Sequence, residues 1–221
     1  MKSSLFSVAL IVAVIPSIAA SDRNTDDDKP KVFKKAPRIA SRNLASSNQM
    51  PTVNALAFKL GEEAYIEACC LEGDDEKASF EKLQEAANYG HVESQLKVGM
   101  AYLYGAFGVR KDPHYAQKYL KWAADSGNDE AQVILGACYL GLNDDDGCVR
   151  MPRSDLFGLK YLKSSLKQEN ISAALFLIQY YIDKEQFDKA FQIIQLPFVE
   201  ASDDESIQEM KDILDGIKQV L

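Results

Sequence analysis

Few side chains in this chain are of types suited to chemistry. Cysteines stand at Cys69, Cys70, Cys138 and Cys148, and the histidines are His91 and His114. Thiolates can attack electrophiles, hold soft metals or pair as disulfides, and imidazoles can ligate zinc or move protons. Spacing removes most of these uses. The two histidines fall in different segments, and neither HExxH nor a clustered Cys/His zinc pattern occurs. His91 directly follows Gly90, the place of a helix-start residue. The loop Asn143-Asp144-Asp145-Asp146-Gly147 has the acidity and turn glycine of a calcium loop. Leu142, however, takes the first ligand position and Arg153 that of the bidentate Glu, so the match fails. GxSxG, GxxxxGK[ST] and GxGxxG are absent. The expectation is therefore no catalytic constellation, no metal and no cofactor. Asn170-Ile171-Ser172 is a glycosylation sequon, with meaning only in a eukaryotic secretory pathway.

The compartment decides what the thiols do. Met1 to Ala20 carries Lys2, an apolar run from Leu5 to Ile15, Pro16, and the small-residue stretch Ser17-Ile18-Ala19-Ala20. The run is short of the roughly 20 residues a membrane span needs and precedes a cleavage-like site near Ala20, so residues 1–20 read as a secretory signal peptide. Secretion or residence in the periplasm is expected, where cysteines can pair. No membrane segment is expected after cleavage.

Charge is segregated along the chain. Overall, 25 Lys and Arg against 33 Asp and Glu give −8, which argues against a nucleic-acid coat or a basic membrane-surface protein. Residues 21–50 are polar, without apolar periodicity, and read as a flexible charged arm with a net +3. Its basic stretch runs Lys29, Lys31, Lys34, Lys35, Arg38 and Arg42 with no acid among them. Two uses compete for it: electrostatic docking on an anionic surface, or keeping a solvated linker soluble. Residues 51–221 carry −12, and their composition suits one globular domain.

That domain is internally repetitive. The clearest unit, SQLKVGMAYLYGAFGVRKDPHYAQKYLKWAADSGNDEA, begins at Ser94. A shift of 37 carries Val98-Gly99 and Tyr102 to Leu135-Gly136 and Tyr139, and a further 42 carries Leu135 and Tyr139 to Leu177 and Tyr181. Backwards, Leu60-Gly61 matches Val98-Gly99, and Ala86-Ala87 with Gly90 matches Ala123-Ala124 with Gly127. Each unit reads as two helices. In the second helix of the clearest unit, Asp112 caps, Pro113 fills the first turn and Gly127 makes the exit. Ser202 followed by Glu205 has capping-box spacing, ahead of a helical apolar period from Ile207 to Leu221. The expected fold is an all-α solenoid of about four helix-pair repeats over residues 51–221, closed by a C-terminal capping helix. Tyr102, Tyr119, Tyr139 and Tyr161 recur at repeat positions and are expected in the core.

The landmarks LG, two residues, Y, a glycine turn with GV, then D, A, AA, two residues and G resemble the Sel-one-like repeat family, a solenoid relative of the tetratricopeptide repeats. The likeness covers roughly Leu56 to Leu196 and is strongest from Ser94 to Ala131. Departures are the extra residue in Gly105-Ala106-Phe107-Gly108, Ile178 in place of the small glycine, and Ser165-Leu166 in place of Ala-Ala. The resemblance implies a non-catalytic scaffold or adaptor that binds protein partners, as a cell-envelope assembly factor or a secreted factor meeting host proteins. In such solenoids stacked first helices make a concave surface, and Lys97, Ala101 and Tyr104 are the candidates for partner contact. Some cysteine-rich relatives are described as binding or hydrolysing β-lactams, which is the alternative. Those carry a disulfide in nearly every repeat, whereas Ser94 to Glu130 has no cysteine.

Within this frame Cys138 sits near the end of a first helix and Cys148 in the long loop Gly141 to Asp155. A disulfide between them would close a ring of about 11 residues, worth about 3 kcal/mol on the chain-entropy model. The alternative is two reduced small hydrophobes. Cys69 and Cys70 would lie two repeats from Cys138, about 20 Å away, beyond disulfide reach. Three states are open to them: free thiols, a strained vicinal pair, or a bond to a second molecule.

Overall fold

The computed structural model describes residues 51–143 and 149–220. They form helices and turns with no strand. The helices are α1 (Pro51–Leu71), α2 (Glu76–Asn88), α3 (Val92–Tyr104), α4 (Pro113–Asp125), α5 (Asp129–Leu140), α6 (Asp155–Leu166), α7 (Ile171–Asp183), α8 (Phe187–Ile194), the single turn α9 (Pro197–Glu200) and α10 (Glu205–Val220). Consecutive pairs α1–α2, α3–α4, α5–α6 and α7–α8 pack as hairpins, and each second helix also touches the first helix of the next pair. This is the expected all-α solenoid of four units. The signal peptide and the arm, with its Lys29 to Arg42 stretch, lie outside the described residues.

Caps mark the repeat in the backbone. Second helices start on Asp75, Asp112 and Ser154, whose side-chain oxygens accept from Ala78, from His114 and Tyr115, and from Phe157. First helices start on His91, Asn128 and Asn170, which accept from Ser94, Ala131 and Ala173. Both series step by 37 and then 42, the intervals of the sequence repeat. Each cap satisfies an N–H that has no partner within its helix. The repeat tyrosines anchor the hairpins as well, because the carbonyls of Tyr102, Tyr139 and Tyr181 accept the N–H of Asp112, Ser154 and Gln186 at 2.9, 2.8 and 2.8 Å.

Small residues set the distance between paired helices. A Cβ on Gly99 would lie 2.7 Å from Leu120 Cγ, and one on Gly136 would lie 2.8 Å from Leu162 Cγ. In the fourth unit Ile178 takes this place. It is fully buried in one cluster with Ala190 and Ile194 of α8, which stand at the places of Ala116 and Leu120 in α4. Ser165, standing for an alanine, is also fully buried, and its hydroxyl donates to the Asp129 carbonyl at 3.1 Å.

Two sequence alignments shift. Gly61 faces Ala86, Tyr89 and His91 at the end of α2, not the equivalent of Leu120. The α1–α2 turn is shorter than that between α3 and α4, and the Ser79 hydroxyl reaches the Ala68 carbonyl at 2.9 Å; buried Gly61, Ala64 and Ala68 then correspond to buried Leu96, Gly99 and Leu103, which aligns α1 with α3 at an offset of 35. At the far end the α10 cap is Asp204, accepting from Ser206 at 2.9 Å and from Ile207 at 3.4 Å, because the helix begins at Glu205. Ser202 instead accepts from Asp204 N–H at 3.2 Å and fixes the turn before it. Ile207, Met210 and Leu214 bury against the core of α7 and α8, so α10 closes the stack.

Candidate interaction surface

First helices α1, α3, α5 and α7 form one layer and second helices α2, α4, α6 and α8 the other. Stepping by the repeat intervals from Glu93, Lys97, Met100 and Tyr104 reaches Glu130, Ile134 and Ala137 in α5 with Gly141 at its C-cap, then Ser172, Phe176, Gln179 and Asp183 in α7. The offset of 35 reaches Phe58, Glu62, Tyr65 and Cys69 in α1. Apart from buried Ala137 these residues are half-buried or exposed, so every first helix presents the same stripe. Lys97 and Tyr104 belong to it, Tyr104 half-buried against the core with its hydroxyl enclosed. Ala101 does not: it is fully buried among Ala68, Phe80, Leu83 and Val98, because it points back to the preceding repeat. Met100, one residue earlier, takes its place on the surface, packed only partly against the core.

The stripe is chemically graded. Between α1 and α3 the Tyr65 and His91 rings stack with centroids 4.4 Å apart, and Lys97 Nζ lies 5.3 Å from the Tyr65 ring centroid. His91 accepts the Ser94 N–H through Nδ1 at 3.2 Å, which leaves Nε2 facing Glu62 at 3.4 Å. The Cys69 thiol is within hydrogen-bonding reach of the Tyr65 hydroxyl. The structure thus joins Cys69 and Lys97, which the sequence offered separately. Burial lifts the Tyr65 phenol above its ordinary value against the pull of the Lys97 charge. Burial works against the charge on Lys97, but Tyr65 and Glu72 outweigh it and the ammonium titrates higher than usual. Further along the face, burial raises the Glu130 carboxyl, with Glu93 and Asp129 adding like charge. Ile134 and Phe176 continue the Lys97 position as apolar contacts.

The repeat tyrosines have another task. Tyr119, Tyr139 and Tyr161 are buried and Tyr102 half-buried, as a core reading requires. Gln84 donates to the Tyr102 hydroxyl and Gln117 to that of Tyr139, each at 2.7 Å, so each tyrosine ties its unit to the second helix before it. Tyr115, Trp122 and Phe157 reach the outer surface, with Lys118 Nζ 4.6 Å from both the Tyr119 and Trp122 rings. Burial lowers the pKa of Lys118. Between α4 and α6, Asp125 pairs with Lys121 and accepts from Tyr161 at 2.9 Å, at the rim of a cavity of about 320 Å³ that Gln132, Lys160 and Ser164 also line.

Cys69 and Cys70 are exposed on successive positions of α1, about 100° apart round the helix. Cys69 looks onto the first-helix stripe and Cys70 outward beside Ile66. Cys138 is buried, with Asn143 Nδ2 3.2 Å from its sulfur. Cys148 and the loop acids Asp144 to Asp146 lie outside the described residues. Among the described residues no three His, Cys, Asp or Glu side chains gather as metal ligands would, and no helix is long and apolar enough to cross a membrane.

No family model matches the chain. It is similar to chitin synthase regulatory factor 4 of Schizosaccharomyces pombe, 29% identical over 109 residues that make up 49% of this chain and 16% of that protein. It is similar to the ERAD-associated E3 ubiquitin-protein ligase component HRD3A of Arabidopsis thaliana, 24% identical over 51% of this chain and 17% of that protein. Chitin synthase regulatory factor 1 of S. pombe is 40% identical over 55 residues, 25% of this chain and 12% of the relative. The matched region thus spans less than a fifth of the length of these curated relatives. Among solved structures, a Sel1 repeat protein from Oxalobacter formigenes matches 55% of this chain and 84% of its own, with 24% identity and a TM-score of 0.42.

Proposed function

From the Sel-one-like repeats that build this chain, we propose an exported, non-catalytic interaction scaffold whose first-helix face holds a segment of a partner protein. The observation that supports it is the equivalent stripe on successive first helices: Glu62, Tyr65 and Cys69, then Glu93, Lys97, Met100 and Tyr104, then Glu130 and Ile134, then Phe176. Acids at one edge, a lysine over a tyrosine and an apolar centre suit an extended peptide with a basic end and apolar side chains. Solenoids present such surfaces by repetition. Two relatives carry the names of a synthase regulator and a ligase component, roles exercised on or with another protein. Export follows from the leader Met1 to Ala20, which addresses the chain to the periplasm or the exterior. In that setting Cys138 and Cys148 pair and pin the loop between them.

Affinity capture from the native compartment tests this, with and without residues 21–50 and with Lys97→Glu and Glu130→Lys. The expected result is one protein retained by the parent chain and lost from both charge variants. Retention untouched by either variant would place the contact elsewhere. Retention that depends only on residues 21–50 would assign it to the arm.

A further inference from the structure

Among the described residues helix α1 opens the stack, and it has a second exposed face that the first-helix stripe does not use. With α1 set on α3 by the offset of 35, Lys59, Glu63 and Ile66 correspond to Ser94, Val98 and Ala101. Those three are fully buried, because the preceding hairpin α1–α2 covers them. In α1 the same positions face away from the stack. Leu56 and Ile66 are each 59% exposed, and the side chains of Lys59 and Glu63 are 73% and 54% exposed. At about 100° per residue, positions 56, 59, 63 and 66 lie within about 80° of one another, opposite buried Gly61, Ala64 and Ala68. The stack therefore begins on a face built where an inter-repeat contact would form.

The order of residues on this face says what it fits. Leu56 and Ile66 stand at equal distances on either side of position 61, and so do Lys59 and Glu63. Apolar residues are outermost and opposite charges innermost. Turned through a twofold axis and laid antiparallel on itself, α1 sets Lys59 against Glu63 of the second copy and Leu56 against its Ile66, each contact made twice. A twofold interface needs this self-complementarity. An unrelated partner does not.

We propose that a second copy of this chain docks on the outward face of α1, giving an antiparallel, twofold, end-to-end dimer that leaves the first-helix surface open. Cys70 lies beyond the matched residues in this register, so the association is non-covalent. The proposal goes beyond the scaffold reading and stands or falls separately from it.

Sedimentation velocity under reducing conditions, on the chain expressed with its own first 50 residues and purified as the host processes it, is read from about 1 to 200 µM. A monomer–dimer equilibrium is expected. Lys59→Glu removes two cross-pairs and creates two repulsions, so it should weaken the dimer roughly tenfold or more. Glu63→Lys should do the same, and the double exchange Lys59→Glu with Glu63→Lys should restore the parent affinity. All these side chains are exposed; each single charge reversal also breaks the Lys59–Glu63 pair within α1 at 3.5 Å, so circular dichroism checks that the helix content is kept and Ile66→Glu, which leaves that pair intact, tests the face independently. A monomer throughout the range overturns the proposal. So does a dimer indifferent to Lys59→Glu and Ile66→Glu, or a double variant no better than either single one.

Discussion

Gly99→Ala isolates the packing that holds the second unit together. The added methyl would sit 2.7 Å from Leu120 Cγ, 2.9 Å from its Cδ2 and 2.9 Å from its backbone nitrogen. Leu120 is fully buried, so its side chain has nowhere to turn, and the backbone nitrogen can yield only if α3 and α4 separate. Overpacking of this kind costs about 1–3 kcal/mol. Against it, alanine is a better helix former than glycine by about 0.8–1 kcal/mol. The net expectation is a loss of up to about 2 kcal/mol, seen as a urea midpoint lowered by up to roughly one molar at an m value of about 2 kcal/mol/M. Gly216→Ala in α10 is the control, since nothing lies within 4 Å of a Cβ there and only the propensity gain remains. That variant should gain up to about 1 kcal/mol. If Gly99→Ala stabilises as much as Gly216→Ala does, the close approach of α3 and α4 is not what fixes the hairpin.

Other expectations concern caps, phenols and thiols. His91→Asn keeps the cap, as Asn128 and Asn170 do in the next units, and gives up only the ring stacked on Tyr65, so it should cost less than His91→Ala, which gives up both and should lose about 1–2 kcal/mol; paired thermal melts decide. Burial pushes the Tyr119 and Tyr180 phenols up to about 12, with Asp155 adding to the rise at Tyr180. A folded-state pKa above the unfolded value of about 10 gives stability that is complete below pH 10 and lost as pH climbs toward 12. Ultraviolet titration should therefore show late-ionising tyrosines, and Tyr119→Phe should flatten the loss of stability in that window. The proposed Cys138–Cys148 bond predicts a mass two hydrogens below the reduced chain, and Cys148→Ser should cost up to about 3 kcal/mol under non-reducing conditions. An unchanged mass on reduction would exclude it.

Much of the fold was legible because it is local. Caps three residues from the N–H groups they satisfy, Pro113 after Asp112, and positive φ at Gly90 and Gly127 need no distant information, and the 37 and 42 intervals carry them from unit to unit. Glu169 shows the limit of this reading, since it adopts the same positive φ without being glycine. The site was legible only in part. Lys97 and Tyr104 were placed on the presented face, but Ala101 was put where Met100 belongs, because a half-buried helix has two candidate stripes and only its neighbours choose between them. Ile134, Phe176 and Glu130 could have been found by carrying Lys97 and Glu93 forward through the repeat intervals.

The sequence by itself determined the all-α repeat, the 37 and 42 intervals between its central units, the Asp112 cap with Pro113, and the glycines at the second and third hairpin crossings. Each of these is a matter of hydrogen bonds and steric clashes within a few residues or one period. Tertiary structure alone decided the register of α1, the burial of Ala101, the meeting of Lys97, Tyr65 and Cys69, and the outward face of α1. These depend on how far one helix slides along another, which the length of a turn and the volume of the facing side chains set together.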